Sequence, residues 1–310
     1  MSRAYGYTSF GGADTETWFD RPVPAPGPSE LVIEVKAVGV NPADYKLRSG
    51  AMANPGAAPS FPLVLGAEAS GVVVAVGSDV DGFSPGDAVL GKTAPDHGSY
   101  AEHAVLLAHD CTPKPARMSF VQAAALSVAG GTAWDALAAL DLSDGETLLI
   151  NGVGGGVGVV AAQLARDRDV AVFGVASHSK RALVESIGAV LVPYDDGDVA
   201  GQLRAMLPGG VDAVLDLVGG DSLREVADLV TNRARLVSIT DPGVAALGGS
   251  FVGATTAGVP MVAELVAEGK IDPKVLQTYP FDEAAQALRS VESGHVLGKI
   301  VIDVEQTTHA

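Results

Sequence analysis

Two patterns of apolar and polar residues divide the chain near residue 120. Before it, apolar segments such as Leu31–Val40 and Ala69–Gly77 are separated by turns rich in Pro, Gly and Asp, which predicts a β-rich region. After it, a helical stretch at 119–140 leads into apolar strands separated by helix-forming segments. The strands predicted in this part are 147–151, 170–176, 189–193, 211–217 and 234–239. Such alternation predicts a parallel sheet with helices on both faces.

The pattern changes again after Gly269. The segment 273–293, PKVLQTYPFDEAAQALRSVES, predicts a strand followed by a helix, and 298–304, GKIVIDV, predicts a closing strand.

A glycine cluster joins the strand at 148–151 to the start of a helix in the run LLINGVGGGVG. Five of the seven positions 152–158 are glycine. Glycine lets the backbone approach a pyrophosphate closely, and the free N–H groups of the first helical turn bind the anion. A plain tight turn is the alternative interpretation. The following helix and the second strand, which ends at Ser177, lie where a dinucleotide-binding turn requires them.

The sequence fits more than one glycine pattern at this turn. The strict G-x-G-x-x-G pattern fails because Val157 stands at its last position. One spelling that fits uses Gly152, Gly155 and Gly158, and another uses Gly152, Gly156 and Gly158.

Composition narrows the class of protein. The net charge of −17 argues against a nucleic-acid partner, because phosphates would be repelled. No apolar run approaches the ~18 residues of a membrane span. The single cysteine, Cys111, excludes an internal disulfide and suits a reducing compartment. The first residues, MSRAYGYTSFGG, lack the apolar run of a signal peptide, and we expect a cytoplasmic location.

Six motifs, in this order, resemble the medium-chain dehydrogenase/reductase superfamily, in its zinc-independent quinone oxidoreductase branch. They are VGVNPADYKLRSG (38–50), PLVLGAEASGVVVAVGSDVDGFSPGDAVLG (62–91), GSYAEHAVL (98–106), AAALSVAGGTAWDAL (123–137), VDAVLDLVGG (211–220) and GKIVIDV (298–304). A short-chain dehydrogenase would place its glycine turn near the N-terminus and need Y-x-x-x-K, which no tyrosine here provides.

The resemblance implies an α/β fold in which a Rossmann doubly wound parallel sheet is inserted in a β-rich GroES-like catalytic domain. The catalytic domain would comprise 1–120 and 270–310, and the dinucleotide-binding domain 121–269. Loops such as 51–60 and 240–252 would shape the acceptor pocket.

Residues that zinc-dependent members of the superfamily use are replaced here. Asn41 stands at the position of a cysteine ligand, and Ala67 at that of the histidine in G-H-E. His97, His103 and His109 have no clustered thiolates beside them, so we expect no metal. Without a Lewis acid for an alkoxide, alcohol oxidation is disfavoured. The resemblance implies reduction of an already electrophilic conjugated acceptor.

The segment 41–48 carries the candidate catalytic residues. Asn41 can donate an amide N–H to a ligand oxygen or to the nicotinamide ribose. Lys46 can neutralise developing enolate charge or bind a cofactor hydroxyl, and Tyr45 can donate a proton. Asp44 is interpreted as a structural cap of the following helical turn. For each of these residues the alternative is a loop side chain with local hydrogen bonds.

The end of the second strand predicts the cofactor. Ser177 replaces the acidic residue of NAD sites, and Lys180 and Arg181 follow it, which suits the 2′-phosphate of NADP(H). Tyr194 resembles a tyrosine that lines this pocket in similar reductases. The alternative is two ordinary surface bases. Asp195 and Asp196 would oppose a phosphate if they faced it.

The resemblance extends the set of cofactor contacts. It implies that Thr132, Gly156, Val157, Val218 and Gly219 also contact NADP(H).

We therefore predict an NADPH-dependent reductase of quinones or α,β-unsaturated carbonyls that acts on a small-molecule substrate. Two alternatives remain, namely a cofactor-binding structural or sensing protein with little turnover and an enoyl-thioester reductase. Relatives pair edge strands of their cofactor domains, so we expect a homodimer joined near 245–256.

Overall fold

The computed structural model describes residues 1–53 and 59–306. Positions 54–58, within the loop expected to shape the acceptor pocket, and 307–310 lie outside the described residues. The strands are β1 Ser2–Tyr7, β2 Glu16–Arg21, β3 Glu30–Val40, β4 Leu63–Val64, β5 Glu68–Val76, β6 Ala88–Lys92, β7 His103–Leu107, β8 Thr112–Pro113, β9 Thr147–Asn151, β10 Ala171–Ala176, β11 Val190–Pro193, β12 Ala213–Asp216, β13 Leu236–Ser238, β14 Ser250–Phe251, β15 Val275–Pro280 and β16 Lys299–Asp303. The helices are α1 Pro42–Arg48, α2 Phe120–Ala124, α3 Ala129–Leu140, α4 Gly156–Arg166, α5 Arg181–Ser186, α6 Val199–Met206, α7 Gly220–Ala227, α8 Val259–Ala267 and α9 Ala284–Glu292.

These elements form two compact units. The first unit comprises Met1–Val128, Val259–Ala267 and Val275–Ala310, and the second comprises Ala129–Gly258 and Glu268–Lys274. Helix α2, which the sequence-based bounds assign to the dinucleotide-binding part, belongs to the first unit. It contacts β3 and β5, and the Ser70 hydroxyl donates to the Phe120 carbonyl at 2.7 Å.

The predicted helical stretch at 119–140 is two helices rather than one. Residues 125–128 form turns between α2 and α3. At the end of these turns the Val128 N–H donates to a side chain, Glu68 Oε2, at 2.7 Å. A tertiary hydrogen bond to a strand therefore interrupts a sequence in which alanine favours a continuous helix.

A seven-stranded sheet is the main layer of the first unit. Its order is β15-β16-β3-β5-β6-β8, and β7 also pairs with β3. Strand β16 lies antiparallel to β3, with Ile300 opposite Val40. The C-terminal strand therefore ends beside the point where β3 leads into α1.

Helix α1 starts directly after β3 because Asn41 is extended and Pro42 supplies the fixed φ of a first helical residue. Its far end is held by Arg48, which is 2% exposed. The Arg48 guanidinium pairs with Glu16 on β2 and, at 2.7 Å, with Glu292 on α9. The segment that carries the candidate catalytic residues is thus fixed at both ends.

A six-stranded parallel sheet forms the centre of the second unit. Its order, β11-β10-β9-β12-β13-β14, corresponds to the 3-2-1-4-5-6 order of doubly wound nucleotide-binding sheets. The strands predicted from the sequence for this part all occur, with β9 matching its predicted bounds and the others shorter by one to three residues. The order reverses between β9 and β12, the place where such sheets bind ligands.

Helices cover both faces of this sheet. Helices α6 and α7 pack on one face, in a core cluster that includes Leu149, Val214 and Leu223. Helices α3 and α4 contact each other and cover the other face. There α3 contacts β12 and β13, and α4 contacts β9 and β10. The described part of the chain contains no helix long and apolar enough to span a membrane.

Candidate functional site

The glycine turn follows β9 and leads into α4. Gly152 has a φ of +90°, in the left-handed region that favours glycine, and its N–H donates to the Val175 carbonyl at 3.0 Å. A β-carbon on Gly158 would lie 2.6 Å from Val153 Cα, so helix and turn approach more closely than a side chain allows. Gly155 is the cap residue that precedes α4. The spelling through Gly152, Gly155 and Gly158 therefore coincides with three distinct roles in the turn.

The first turn of α4 is able to bind an anion. Gly156, Val157 and Gly158 are its first three residues, and the N–H groups at these positions of a helix have no acceptor within the helix. The positive end of the helix dipole lies at the same place. A phosphate group on this turn would receive both hydrogen bonds and favourable charge.

The opposite side of the turn is formed by the end of β12. A β-carbon on Gly152 would lie 2.9 Å from Val218 Cγ2, and the Val218 side chain is exposed. Gly219 follows with a φ of +82° and caps α7. Val218 is therefore brought to the glycine turn and Gly219 follows it directly, while their contact with NADP(H) stays a prediction. Thr132 is buried on α3.

Asp216 fixes this side of the site and was not predicted from the sequence. Its fully buried carboxylate accepts hydrogen bonds from Asn151 Nδ2 at 2.8 Å, from the Ser238 hydroxyl at 2.7 Å, and from the N–H groups of Val218 and Gly219. It ties the ends of β9, β12 and β13 together. A charged residue closing the apolar strand AVLD is the sequence signal that could have identified it.

The end of β10 brings together three of the predicted cofactor residues. Ala176 is paired with Pro193, so Ser177 and Tyr194 leave neighbouring strands at the same edge of the sheet. Lys180 lies over the glycine turn, with its Cδ 2.5 Å from the place of a β-carbon on Gly154. Burial lowers the pKa of the half-buried Lys180.

Arg181 and the two acidic residues are placed differently. Arg181 is exposed on α5 and its guanidinium pairs with Glu185 at 3.2 Å. Asp195 faces the turn after β10 and accepts the His178 N–H at 2.8 Å, while Asp196 Oδ2 lies 3.8 Å from His178 Nδ1. Lys180 is therefore better placed beside the glycine turn than Arg181, and acidic groups lie at the margin of this surface.

Asn41 lies in the first unit within a buried polar cluster formed by Asn41, Glu68 and Lys299. Its Nδ2 donates to Glu68 Oε1 at 2.8 Å and to the Gly39 carbonyl at 3.2 Å, and its Oδ1 accepts from Lys299 Nζ at 2.5 Å. Both amide hydrogens thus have protein acceptors. Donation from Asn41 to a ligand would require one of these hydrogen bonds to be exchanged.

Lys299 is the cation of this cluster. Its ammonium has three N–H donors, and they reach Glu68 Oε1 at 2.7 Å, Asn41 Oδ1, and the Val40 carbonyl at 3.2 Å. Glu68 is fully buried and Lys299 is 4% exposed. Both were missed in the sequence, although a charged residue at the start of each of the apolar strands EASGVVVAV and KIVID was the available signal.

These residues do not suit a zinc ion. An amide oxygen is a poor replacement for a thiolate, and the Lys299 ammonium already lies against both oxygen donors. The described ranges contain no group of three or more His, Cys, Asp or Glu side chains arranged to hold a metal.

The other residues of α1 diverge from this cluster. Tyr45 is half-buried against the hydrophobic core, and Lys46 is exposed. Asp44 is fully buried, and its Oδ2 accepts the Asn41 N–H at 2.9 Å and the Tyr100 hydroxyl at 3.0 Å. Burial raises the pKa of Asp44 to about 7.

Two family models match the chain. The alcohol dehydrogenase GroES-like domain matches residues 27–116, and the zinc-binding dehydrogenase domain matches residues 187–302. Among curated proteins, the mitochondrial NAD(P)H oxidoreductase RTN4IP1 of Homo sapiens is 33% identical to this chain, and the alignment covers 89% of this chain and 82% of the human protein.

Solved structures resemble the whole chain. The quinone oxidoreductase from Coxiella burnetii has a TM-score of 0.90 and 31% identity, over 98% of this chain and 99% of that one. The Escherichia coli quinone oxidoreductase complexed with NADPH has a TM-score of 0.85 and 26% identity, over 97% of this chain and 99% of that one.

Proposed function

Because the chain belongs to the medium-chain dehydrogenase/reductase superfamily, in its zinc-independent quinone oxidoreductase branch, we propose that it is an oxidoreductase that reduces quinones or α,β-unsaturated carbonyl compounds with NADPH. The observation that carries the proposal is the surface at the ends of β9 and β10. There a glycine-rich turn, the first N–H groups of α4, and Lys180 lie next to one another.

The cofactor of this chain is NADP(H), and the residues of the second unit suit it. The N–H groups of Gly156, Val157 and Gly158 would bind the pyrophosphate. The hydroxyls of Ser177 and Ser179, which lie 2.9 Å apart, and the Lys180 ammonium would bind the 2′-phosphate. The bound cofactor supplies a hydride at C4 of its nicotinamide ring.

The choice of NADPH over NADH rests on Ser177 in place of an acid. A carboxylate at the end of β10 would repel a 2′-phosphate, whereas a hydroxyl beside a lysine can donate to it. Asp195 does not replace the acidic residue that NAD sites carry at the end of this strand, because its carboxylate already accepts the His178 N–H. The phosphate would therefore lie on the side of Lys180 and the glycine turn.

The proposed acceptors need no metal. A quinone or enone is already electrophilic, so reduction requires positioning and stabilisation of the developing oxyanion rather than a Lewis acid. Within the first unit the cation beside Asn41 is the Lys299 ammonium. Tyr45 and Lys46 remain proposed contributors from α1, and the exposed position of Lys46 lets its ammonium reach a ligand.

The direct test measures cofactor binding and turnover separately. Calorimetric titration with NADPH and NADH should give clearly tighter binding of NADPH. Cofactor oxidation should then be followed with a panel of 1,4-quinones and enones, with and without a chelator, and the chelator should change no rate. Tight NADPH binding without turnover on any acceptor would favour a binding or sensing protein instead.

We also propose a homodimer joined through β14. This strand is the last in the order of the parallel sheet, it pairs only with β13 within the described chain, and Phe251 on it is 47% exposed. Pairing with a second copy would cover the unpaired edge.

A cytoplasmic location is proposed from the single, partly buried Cys111, which suits a reducing compartment. The human relative carries the word mitochondrial in its name. Fractionation of cells that express the protein would distinguish the two compartments.

A further inference from the structure

His178 is a titratable side chain at the margin of the proposed phosphate site. It stands between Ser177 and Ser179, whose hydroxyls lie 2.9 Å apart, and it precedes Lys180 by two positions. Residues 178–180 form a single tight turn, so the imidazole, the hydroxyls and the ammonium leave neighbouring positions of the backbone. The His178 side chain is 57% exposed, and its ring is therefore open to protons from the solvent.

The groups packed against His178 from the turn after β11 are acidic. The Asp195 carboxylate accepts the His178 N–H through both of its oxygens, at 2.8 and 3.1 Å. Asp196 Oδ2 lies 3.8 Å from His178 Nδ1, which is within the distance of an ion pair. Asp198, further along the same acidic run, accepts the Gly201 N–H at 2.9 Å as the cap of α6. The turn after β11 therefore brings negative charge to this edge of the sheet.

The balance of charge at this edge does not favour a phosphate while His178 is neutral. The basic side chains that follow it are Lys180 and Arg181, and Arg181 is offset by Glu185 at 3.2 Å. Lys180 then contributes one positive charge against the carboxylates of the turn after β11. A 2′-phosphate, which brings about 1.5 to 2 further negative charges at pH 7, is repelled by this excess. A proton on His178 reduces the excess by one charge.

We infer that His178 is a specificity-determining residue, because its protonated imidazole offsets the charge of Asp196 and strengthens binding of the 2′-phosphate. The inference rests on the proposed function, since it concerns the phosphate site of that reductase. Histidine is the side chain that ordinarily changes its charge between about pH 5 and pH 8. The contribution of His178 to NADPH affinity therefore grows as pH falls. NADH, which has no 2′-phosphate, gains nothing from it.

The phosphate titrates in the same range and has to be separated from His178. A phosphate monoester takes up its second proton near about pH 6, which weakens its charge-assisted hydrogen bonds as pH falls. This effect opposes that of His178, but it belongs to the ligand and is the same for every variant of the protein. The ratio of affinities between wild type and variant at one pH therefore isolates the side chain.

His178→Gln tests the role, with His109→Gln as its matched control. Glutamine keeps a polar side chain but cannot become charged. His109 is also exposed, and its Nε2 lies 3.8 Å from Asp110 Oδ2, but it belongs to the first unit. The control thus repeats the pair of imidazole and carboxylate outside the unit that carries the proposed phosphate site.

Calorimetric titration at low ionic strength measures the effect. At pH 6 the wild type should bind NADPH about threefold more tightly than His178→Gln, and at pH 8 the two should agree. His109→Gln should match the wild type at both pH values, and NADH should bind all three proteins alike. The difference at pH 6 should vanish in about 0.5 M salt, which screens the charge. A purely structural loss would instead weaken NADPH and NADH together at both pH values.

Asp196→Asn provides a second measurement that does not depend on the folding of His178→Gln. Removal of this carboxylate lifts its repulsion of the phosphate at pH 8, so NADPH should bind about threefold more tightly than it binds the wild type. At pH 6 the gain should be smaller, because His178 already offsets the carboxylate. Unchanged NADPH affinity of Asp196→Asn at pH 8 would overturn the inference.

The outcomes separate this inference from the proposed function. If NADPH binding depends on His178 as expected but no acceptor is reduced, the proposed reductase is wrong and the role of His178 stands. If acceptors are reduced with NADPH and His178→Gln binds it like the wild type at pH 6, the reductase stands and the role of His178 is overturned. Equal weakening of NADPH and NADH in His178→Gln would also overturn it.

Discussion

The Lys180 side chain lies across the glycine turn, with its Cδ 2.5 Å from the place that a β-carbon on Gly154 would take. Its ammonium thus belongs to the surface where the first N–H groups of α4 emerge. Lys180→Met keeps the aliphatic stem but removes the charge. We expect NADPH affinity to fall at least about tenfold and NADH affinity to stay nearly constant, since NADH has no 2′-phosphate. Calorimetric titration measures both.

Arg181→Met is the matched control, because Arg181 is exposed and paired with Glu185 rather than placed on the turn. A larger loss of NADPH affinity in Arg181→Met than in Lys180→Met would reverse the assignment of the phosphate-binding cation. Ser177→Asp should shift preference toward NADH, since a carboxylate repels the phosphate and can bind ribose hydroxyls.

Gly158→Ala should both destabilise the protein and weaken NADPH binding. The added β-carbon would lie 2.6 Å from Val153 Cα and 2.8 Å from the Gly152 carbonyl oxygen, and backbone atoms cannot move aside as a flexible side chain can. We expect a loss of about 1–3 kcal/mol in the free energy of unfolding in urea. Gly209→Ala, whose β-carbon would meet no atom within 4 Å, should change stability by less than about 0.5 kcal/mol. Equal losses in both variants would show that close approach at the turn is not the cause.

The parts of the structure that the sequence predicted are those with a local signal. Glycine content and the strand–helix pattern identified the turn at Gly152, because both depend on neighbouring residues. The hydrogen bond of Lys299 to Asn41 joins residues 258 positions apart, and no local pattern reports such a contact. The break between α2 and α3 was missed for the same reason, since Glu68 imposes it through the Val128 N–H.

The sequence also could not show which of two neighbouring basic residues lies at the glycine turn. Lys180 and Arg181 are adjacent and equally basic, and only the backbone path after β10 turns one toward Gly154 and the other toward Glu185. The sequence also could not predict that both Asn41 amide hydrogens donate to protein acceptors, because one of these acceptors is the distant Glu68.

Light scattering tests the proposed dimer. At micromolar protein the mass should be about twice the 31.3 kDa of one chain. Phe251→Lys places a charge on the exposed residue of β14 and should lower the mass toward that of a monomer, because charges on edge strands oppose pairing. Leu276→Lys, at a similarly exposed apolar residue of the first unit, should leave the mass unchanged. A wild-type mass near 31.3 kDa would refute the dimer.

Lys299→Met should be strongly destabilising because it leaves the fully buried Glu68 without its cation. Breaking a buried ion pair on one side costs about 3–5 kcal/mol. The double variant with Glu68→Gln should lose less than the sum of the two single variants, since no unpaired charge remains. Urea unfolding of the wild type, the two single variants and the double variant gives the coupling free energy between Lys299 and Glu68.

The exposed pair of Lys270 and Glu268, 2.8 Å apart, provides a control for this cycle. Lys270→Met should change stability little, because surface ion pairs contribute little. Additive effects of Lys299→Met and Glu68→Gln would contradict the coupling inferred from the buried cluster.

The buried Asp44 predicts how stability changes with pH. Burial raises its pKa from 3.8 to about 7 in the folded protein, while in the unfolded chain it keeps its ordinary value. Between about pH 4 and pH 7 the folded protein therefore holds a proton that the unfolded chain has lost, so this group makes stability fall as pH rises. Across three pH units the linkage amounts to at most about 4 kcal/mol. Asp44→Asn removes the titrating group, so the wild type should lose stability relative to the variant through this window and follow it in parallel above about pH 7. Urea unfolding of both proteins at steps from pH 4 to 8 measures the difference, and a wild type that instead gains on the variant with rising pH would show that the folded state holds Asp44 as a stabilised carboxylate.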